Sequence, residues 1–470
     1  MNARRSFLKR AGALGAAGAG VGALTGLPGT GSPMLADLQR IVALAGDALI
    51  GSARAQTVDD YRCLVCIFMF GGNDSNNLIV PTDGGRHALY SRARGPLALT
   101  QPSLLPVTAA NGGAPYGFHP AFANVQKLFT QNKAAVVANV GPLVVPLTKA
   151  ALNARSVPVP SNLYSHSDQQ SQWQSSISDG SGRTGWAGRI GDLLQATNSN
   201  RGATCVSLAG NNLWETGTTL NSYKVSPSGA NGFSFYKPAS GSDPLSISIT
   251  EMLQQSRTGL FDQAWLNVIQ KSLENQRALS SALAGQSSAG TFPNTGLGRQ
   301  LRMAAQLIAA RGTLGVNRQT IFCSIGGFDT HSGDQLQIQQ RLFAEIDGAV
   351  SAFYNATVAL GVAEKVTTFT ASDFSRTLQS NGGGSDHAWG GHHLVIGGAV
   401  KGGNLYGSFP DLTLGGPDDS SQQGRWIPTT SVDQYGATMA RWLGVAASEM
   451  TTAFPAIGGF ATADLGFMNP

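Results

Sequence analysis

Charge is scarce in this chain. Only 13% of its 470 residues are Asp, Glu, Lys or Arg, and no basic run stands out among them. A nucleic-acid binder needs clustered cationic surface, so that class is set aside. The net charge of +5 comes partly from an N-terminal segment that reads as a leader. Cysteine is scarce too: Cys63, Cys66, Cys205 and Cys323. The C-x-x-C spelling of Cys63 and Cys66 falls inside an apolar run, Cys63-Leu-Val-Cys-Ile-Phe-Met-Phe70. That run reads as a strand, in which residues three apart point to opposite faces, so buried thiols are expected rather than a redox or zinc pair. A disulfide stays open for an oxidising compartment. No glycine-rich dinucleotide fingerprint follows a strand, and no haem-attachment motif exists, which argues against a cofactor oxidoreductase. There is no internal repeat, and no transmembrane candidate follows the leader.

Histidine is nearly as sparse, with seven in the chain, but its placement is uneven. His387, His392 and His393 share one Gly/Ser/Asn-rich stretch with Asp373 and Asp386. The β-branched and aromatic run Val366-Thr-Thr-Phe-Thr370 precedes it and reads as a buried strand that runs out into a loop. Carboxylates and imidazoles on a loop held by a sheet are what a divalent metal site requires.

The leader comes first in the chain. Ala3-Arg-Arg-Ser-Phe-Leu-Lys9 matches the twin-arginine export pattern and precedes a weakly apolar, Gly-rich run from Ala11 to Leu24, too short for a comfortable span. Ala53-Arg-Ala55 has the small-x-small form of a cleavage site. Residues 1–55 are therefore expected to be a twin-arginine signal, with the translocase as partner, no transmembrane domain in the mature protein, and a periplasmic or secreted destination. Residues 56–470 are expected to form one α/β domain with insertions near 82–160 and 210–290.

Within that domain, strands are expected at 62–70, 134–140, 320–325 and 366–370, and helices at 119–129, 164–174, 185–194, 249–283, 297–310 and 336–360. Helix–strand alternation argues a mainly parallel sheet covered on both faces, a three-layer α/β/α sandwich. Ligands gather at the carboxyl ends of such strands. Three of those ends carry chemistry: Asp74 after Gly71-Gly-Asn; Asp329 and His331 in Gly326-Gly-Phe-Asp-Thr-His; and Asp373 with the loop to His393. An Asp and a His two residues apart on a turn can reach one ion. In Tyr164-Ser-His-Ser-Asp-Gln-Gln170, Ser165 or Ser167 reads as a helix N-cap with Gln169 and Gln170 behind it. A hydroxyl there lies where helix amides favour an anion.

Gly71-Gly-Asn-Asp, Ser165-His-Ser-Asp-Gln-Gln170, Gly326-Gly-Phe-Asp-Thr-His331, Ser372-Asp-Phe-Ser-Arg376, Ser385-Asp-His387 and Ile396-Gly-Gly-Ala-Val-Lys-Gly-Gly403, together with the leader, resemble the exported bacterial family called domain of unknown function 1501. That family is in turn similar to the alkaline phosphatase and sulfatase superfamily. The resemblance implies an alkaline phosphatase-like fold and a metal-dependent hydrolase of phosphate or sulfate esters, acting on an anionic ester or glycan. One or two divalent ions (zinc, manganese or calcium) would be held by Asp74, Asp329, His331, Asp373, Asp386 and His387. Ser165 or Ser167, or else a metal-bound water, would attack, Arg376 would neutralise equatorial oxygens, and His393 would complete the metal shell or protonate the leaving group. Two departures stand out: the Asp329/His331 pair is closely spaced, and Phe374 stands where the superfamily has His. The alternative is a non-catalytic member of the same fold that binds surface glycan or assists an exported assembly.

Overall fold

The computed structural model describes residues 60–112, 114–230, 236, 243–255 and 259–470. The leader expected over 1–55 and its cleavage site lie outside them. Contacts divide the described residues into two units, one drawn from 231–277 and the other holding the rest. In the first, helix Pro244–Gln254 starts on Asp243, whose side chain accepts from the Ser246 N–H, with Pro244 at the first helical position. That residue pair is a helix-start signal. The single helix expected over 249–283 is instead two, Pro244–Gln254 and Leu260–Leu283.

The second unit holds the sheet. Its strands are β1 Arg62–Met69, β2 Ile79–Pro81, β3 Leu105–Thr108, β4 Pro115–Phe118, β5 Ala134–Gly141, β6 Cys205–Ser207, β7 Tyr223–Ser226, β8 Gly229–Ala230, β9 Arg318–Ile325, β10 Val366–Ser372, β11 Gly391–Gly397, β12 Leu405–Tyr406 and β13 Thr430–Ser431. Among the described residues they form a ten-stranded sheet in the order β12-β5-β11-β10-β1-β9-β6-β7-β8, with β13 also on β5. Pairings are parallel except for β11, antiparallel to both neighbours, and β8, antiparallel to β7. A small antiparallel sheet, β2-β4-β3, forms where no strand is expected, with β3 and β4 inside the stretch 82–160.

β1 shows why the sheet is sandwiched. Cys63, Val65 and Ile67 pack into one core with Val125, Leu301, Ile308, Phe343 and Phe353. Leu64, Cys66 and Phe68 pack into another with Trp173, Trp186, Ile190, Tyr435 and Trp442. A strand buried on both faces has no polar face to show, so it reads as a continuous apolar run. The helices on the first side include α3 Gly296–Ala309 and α4 Gln335–Ala359. On the second lie α1 His166–Ser175, α2 Trp186–Leu194 and α5 Val432–Leu443. The result is a three-layer α/β/α sandwich. All four cysteines are free and buried, and no described helix is long and apolar enough to cross a membrane.

The register levels three strand ends. Met69 pairs with Ser372 on one side and with Ile325 on the other, so the residues that follow β1, β9 and β10 leave the sheet at one edge. β11 then returns from that edge. The loop expected to run through His393 therefore stops at Gly390, and His392 and His393 lie within the sheet.

Candidate metal centre

Asp329 is the middle of the cluster. It follows β9 and packs against the turn after β1, where Gly71 adopts φ +109° and a Cβ would stand 2.5 Å from the Asp329 nitrogen. Only glycine tolerates both the dihedral and the approach. His331 Nε2 lies 3.2 Å from Asp329 Oδ1, His387 Nε2 3.7 Å from the same oxygen, and His166 Nε2 3.7 Å from Oδ2. His166, Asp329 and His387 each offer a ligand atom within 4.8 Å of the others. His331 Nε2 and His387 Nε2 are 2.6 Å apart.

Each imidazole is fixed from behind through Nδ1. His166 Nδ1 lies 2.6 Å from Asp373 Oδ2, an oxygen that also accepts from Gln170 Nε2 and the Gly71 N–H. His331 Nδ1 lies 3.2 Å from Asp386 Oδ1, which accepts from Asn381 Nδ2 as well. His387 Nδ1 lies 2.7 Å from the Tyr164 carbonyl. Carbonyls and carboxylates accept, so in each neutral ring the proton belongs on Nδ1 and the lone pair on Nε2. Three lone pairs thus converge beside one carboxylate. His166 Nε2 is buried without a hydrogen-bond partner, and so is Asp373 Oδ1. An imidazole that ligates a metal ordinarily donates its other N–H to a carboxylate or carbonyl, and all three do so here.

Electrostatics match this arrangement. Burial pushes the Asp329 carboxyl up, but the hydrogen bond and charge of Arg376, with His166 and His331, outweigh it and hold it below the usual range. Burial likewise raises Asp386, and the bonds from Asn381 and His331 bring it below the usual range. Burial dominates at Asp373 and leaves it raised. Burial and the nearby charges of Arg376, His166 and His331 depress His387, favouring the neutral ring. The Asp329 side chain is 53% exposed, so the cluster opens to solvent. Phe374, in the position where the resembled superfamily has His, packs its ring against His166 and His387 at 4.8 and 4.6 Å. Gly72 leaves it room, since a Cβ there would meet the Phe374 ring at 2.4 Å.

The structure brings together Asp329, His331 and His387, with Asp373 and Asp386 one hydrogen bond behind. His166, which the sequence places in a motif with the other clustered histidines but not among the ligands, lies in the cluster through Asp373 and Asp329. The other expected residues go elsewhere. Asp74 is buried in an ion pair with Arg94 and accepts from Gln335 and Asn76. Arg376 is fully buried and donates to the Gly71, Gly72 and Ser385 carbonyls and to Asp329, so it orients Asp329 rather than facing an ester. Ser165, not Ser167, is the N-cap of α1. Its hydroxyl caps no backbone amide and donates instead to Asp168 Oδ2, at 2.5 Å. Ser167 is exposed and lies 3.2 Å from Ser165 Oγ. His393 is buried against Trp173 and Tyr435, which removes it from the cluster. His392 stacks on Phe409 at 4.5 Å. Burial depresses both rings to about 3, so they are neutral core residues.

The family model described as "Protein of unknown function (DUF1501)" matches residues 61–454. No curated protein matches the chain. Among solved structures it is similar to Ps i-CgsB in complex with k-i-k-neocarrahexaose, at 10% identity over 85% of this chain and 77% of that one, TM-score 0.32. It is similar to a Bacteroides thetaiotaomicron protein from a study of glycosaminoglycan metabolism, at 9% identity over 83% and 74%, TM-score 0.33. A third is the lipoteichoic acid synthase LtaP from Listeria monocytogenes, at 9% identity over 84% and 80%, TM-score 0.29. At such identities and scores these likenesses assign no chemistry to this chain.

Proposed function

This chain belongs to the DUF1501 family, and we propose that it is a metal-dependent hydrolase of phosphate or sulfate esters whose ion is held by His166, Asp329, His331 and His387. The observation that carries the reading is that His166, His331 and His387 each place Nε2 within 3.7 Å of an Asp329 oxygen while an acceptor holds the ring through Nδ1. Three imidazoles with one carboxylate suit zinc, manganese or iron; calcium, which takes oxygen ligands, fits poorly. When bound, such an ion supplies Lewis-acid polarisation of an ester oxygen and lowers the pKa of water.

The chain's own residues supply the rest. Asp373, Asp386 and the Tyr164 carbonyl hold the three rings in orientation. Arg376 keeps Asp329 ionised and aimed. Phe374 walls one side of the cluster against water. With the Ser165 proton engaged by Asp168, water rather than serine is the attacking group in this reading. The three-layer fold accords with the alkaline phosphatase and sulfatase resemblance. We further propose that the protein reaches the periplasm or exterior through the twin-arginine translocase, on the motif at Arg4 and Arg5. The test is hydrolysis of a panel of aryl phosphate and sulfate esters by metal-replete protein, beside the His331→Ala variant. Turnover lost with the metal supports the reading; a metal-replete protein inert on every ester sinks it.

A further inference from the structure

A guanidinium beside the proposed ion would meet the ester oxygens that the ion leaves free, and Arg376 is already committed to three carbonyls and Asp329. Among the described residues, a second guanidinium beside the cluster belongs to Arg425, whose charge is felt at Asp386. Resting on the hydrolase reading, we propose that Arg425 recognises the tetrahedral oxyanion of the substrate, a phosphate or sulfate group, through its two Nη groups.

The guanidinium is held in place on two sides. Its Nε donates to the His387 carbonyl at 2.8 Å. Its plane lies over the Tyr164 ring, with Cζ 4.9 Å from the centroid. Among the described residues its two Nη groups have no hydrogen-bond partner, and the residue is only partly buried. Two adjacent Nη groups form a fork that matches two oxygens of a tetrahedral anion.

The surrounding structure fixes this placement. Asp419 is fully buried and accepts the backbone N–H groups of Gly415, Ser421, Gly424 and Arg425, so one carboxylate closes the whole loop. Ser420 Oγ donates to the Arg425 carbonyl and lies 3.2 Å from the Tyr164 hydroxyl. Tyr164 itself sits at φ +71°, a conformation an aromatic residue adopts at a cost. That backbone aims its carbonyl at His387 while its ring supports Arg425. A side chain ordered before its ligand arrives loses little freedom on binding. The same two residues, Tyr164 and His387, therefore position both the guanidinium and a proposed metal ligand.

The experiment titrates inorganic phosphate and inorganic sulfate into the full chain by calorimetry, as purified and after chelation, with metal content measured on every sample. Arg425→Gln should keep wild-type metal content and weaken anion binding about tenfold or more, the effect of losing a charge-assisted pair. Arg425→Lys, which restores charge without the fork, should recover part of it. Unchanged affinity in Arg425→Gln overturns the proposal, as does a metal-replete wild type that binds neither anion. Should Arg425→Gln lose its metal, Arg425→Lys decides: weaker binding with metal retained supports the assignment, and wild-type binding overturns it. Arg425-dependent binding by a wild-type chain that holds no metal would keep this assignment and remove the metal-hydrolase reading.

Discussion

His331 and His387 face one another through their Nε2 atoms at 2.6 Å, while their Nδ1 atoms lie on Asp386 and the Tyr164 carbonyl. Two neutral rings so fixed oppose lone pair to lone pair. A proton shared between them turns that repulsion into attraction at this separation; a metal ion ligated by both rings would sit beside the line that joins them, with the two Nε2 atoms moved apart. That proton would still leave the His166 Nε2, 3.7 Å from Asp329 Oδ2, without a hydrogen-bond partner, and the metal proposed above would supply one.

Residues behind the cluster should matter nearly as much as those in it. Asp386→Asn and Asp373→Asn are each expected to weaken metal affinity by about 10–100-fold, the usual cost of losing such support. The fold should survive in both. Competition with a chromogenic chelator measures it.

His393 and His166 should separate cleanly. His393→Ala is expected to leave metal content at the wild-type level while lowering stability by roughly 2–4 kcal/mol, as for other large-to-small core changes. His166→Ala is expected to do the reverse, losing metal with little loss of stability. Metal analysis paired with urea unfolding checks both.

These two histidines also show what could be read from residues alone. Apolar runs ending at Gly71 and Gly326 located β1 and β9, and the β-branched and aromatic run from Val366 located β10. Asp329 and His331 followed, since they leave β9 at the ligand-bearing edge. His393 misled because β11 opens on Gly391, His392 and His393, so its apolar run starts only at Leu394. His166 was masked by the serines around it, and only its partner Asp373, 207 residues away, identifies its role. Arg376 and Arg425 look alike in sequence; what separates them is how many of their N–H groups the fold already uses.

Glycine at the turn after β1 should be irreplaceable. Gly71→Ala meets the Asp329 backbone and a left-handed φ together, and is expected to cost about 1–3 kcal/mol and to reduce metal content. Gly382→Ala, at φ +99° with open space around it, should cost stability but spare the metal. Thermal unfolding with metal analysis distinguishes the two.

Glu215 should give the stability a pH slope. Burial raises its carboxyl from 4.5 to about 8 against the bonds from Asn212 and Thr320. The folded chain thus binds a proton that the unfolded chain releases at lower pH. The stability this group contributes is full below pH 4.5, falls as pH rises toward 8, and is level above. The whole change is on the order of 5 kcal/mol at most. Glu215→Gln should flatten that window and make the protein more stable than wild type at pH 9. Urea unfolding of chelator-treated protein at pH 5 and pH 9 measures the difference.

The most direct test of the metal centre is elemental mass spectrometry on protein purified without chelator, with the Asp329→Ala/His331→Ala double variant beside it. The structure predicts near-stoichiometric zinc, manganese or iron in the wild type and its loss in the variant, with both chains folded. Folded wild-type protein free of metal, unable to take up any of the three on dialysis, would contradict the account and leave a proton between His331 and His387.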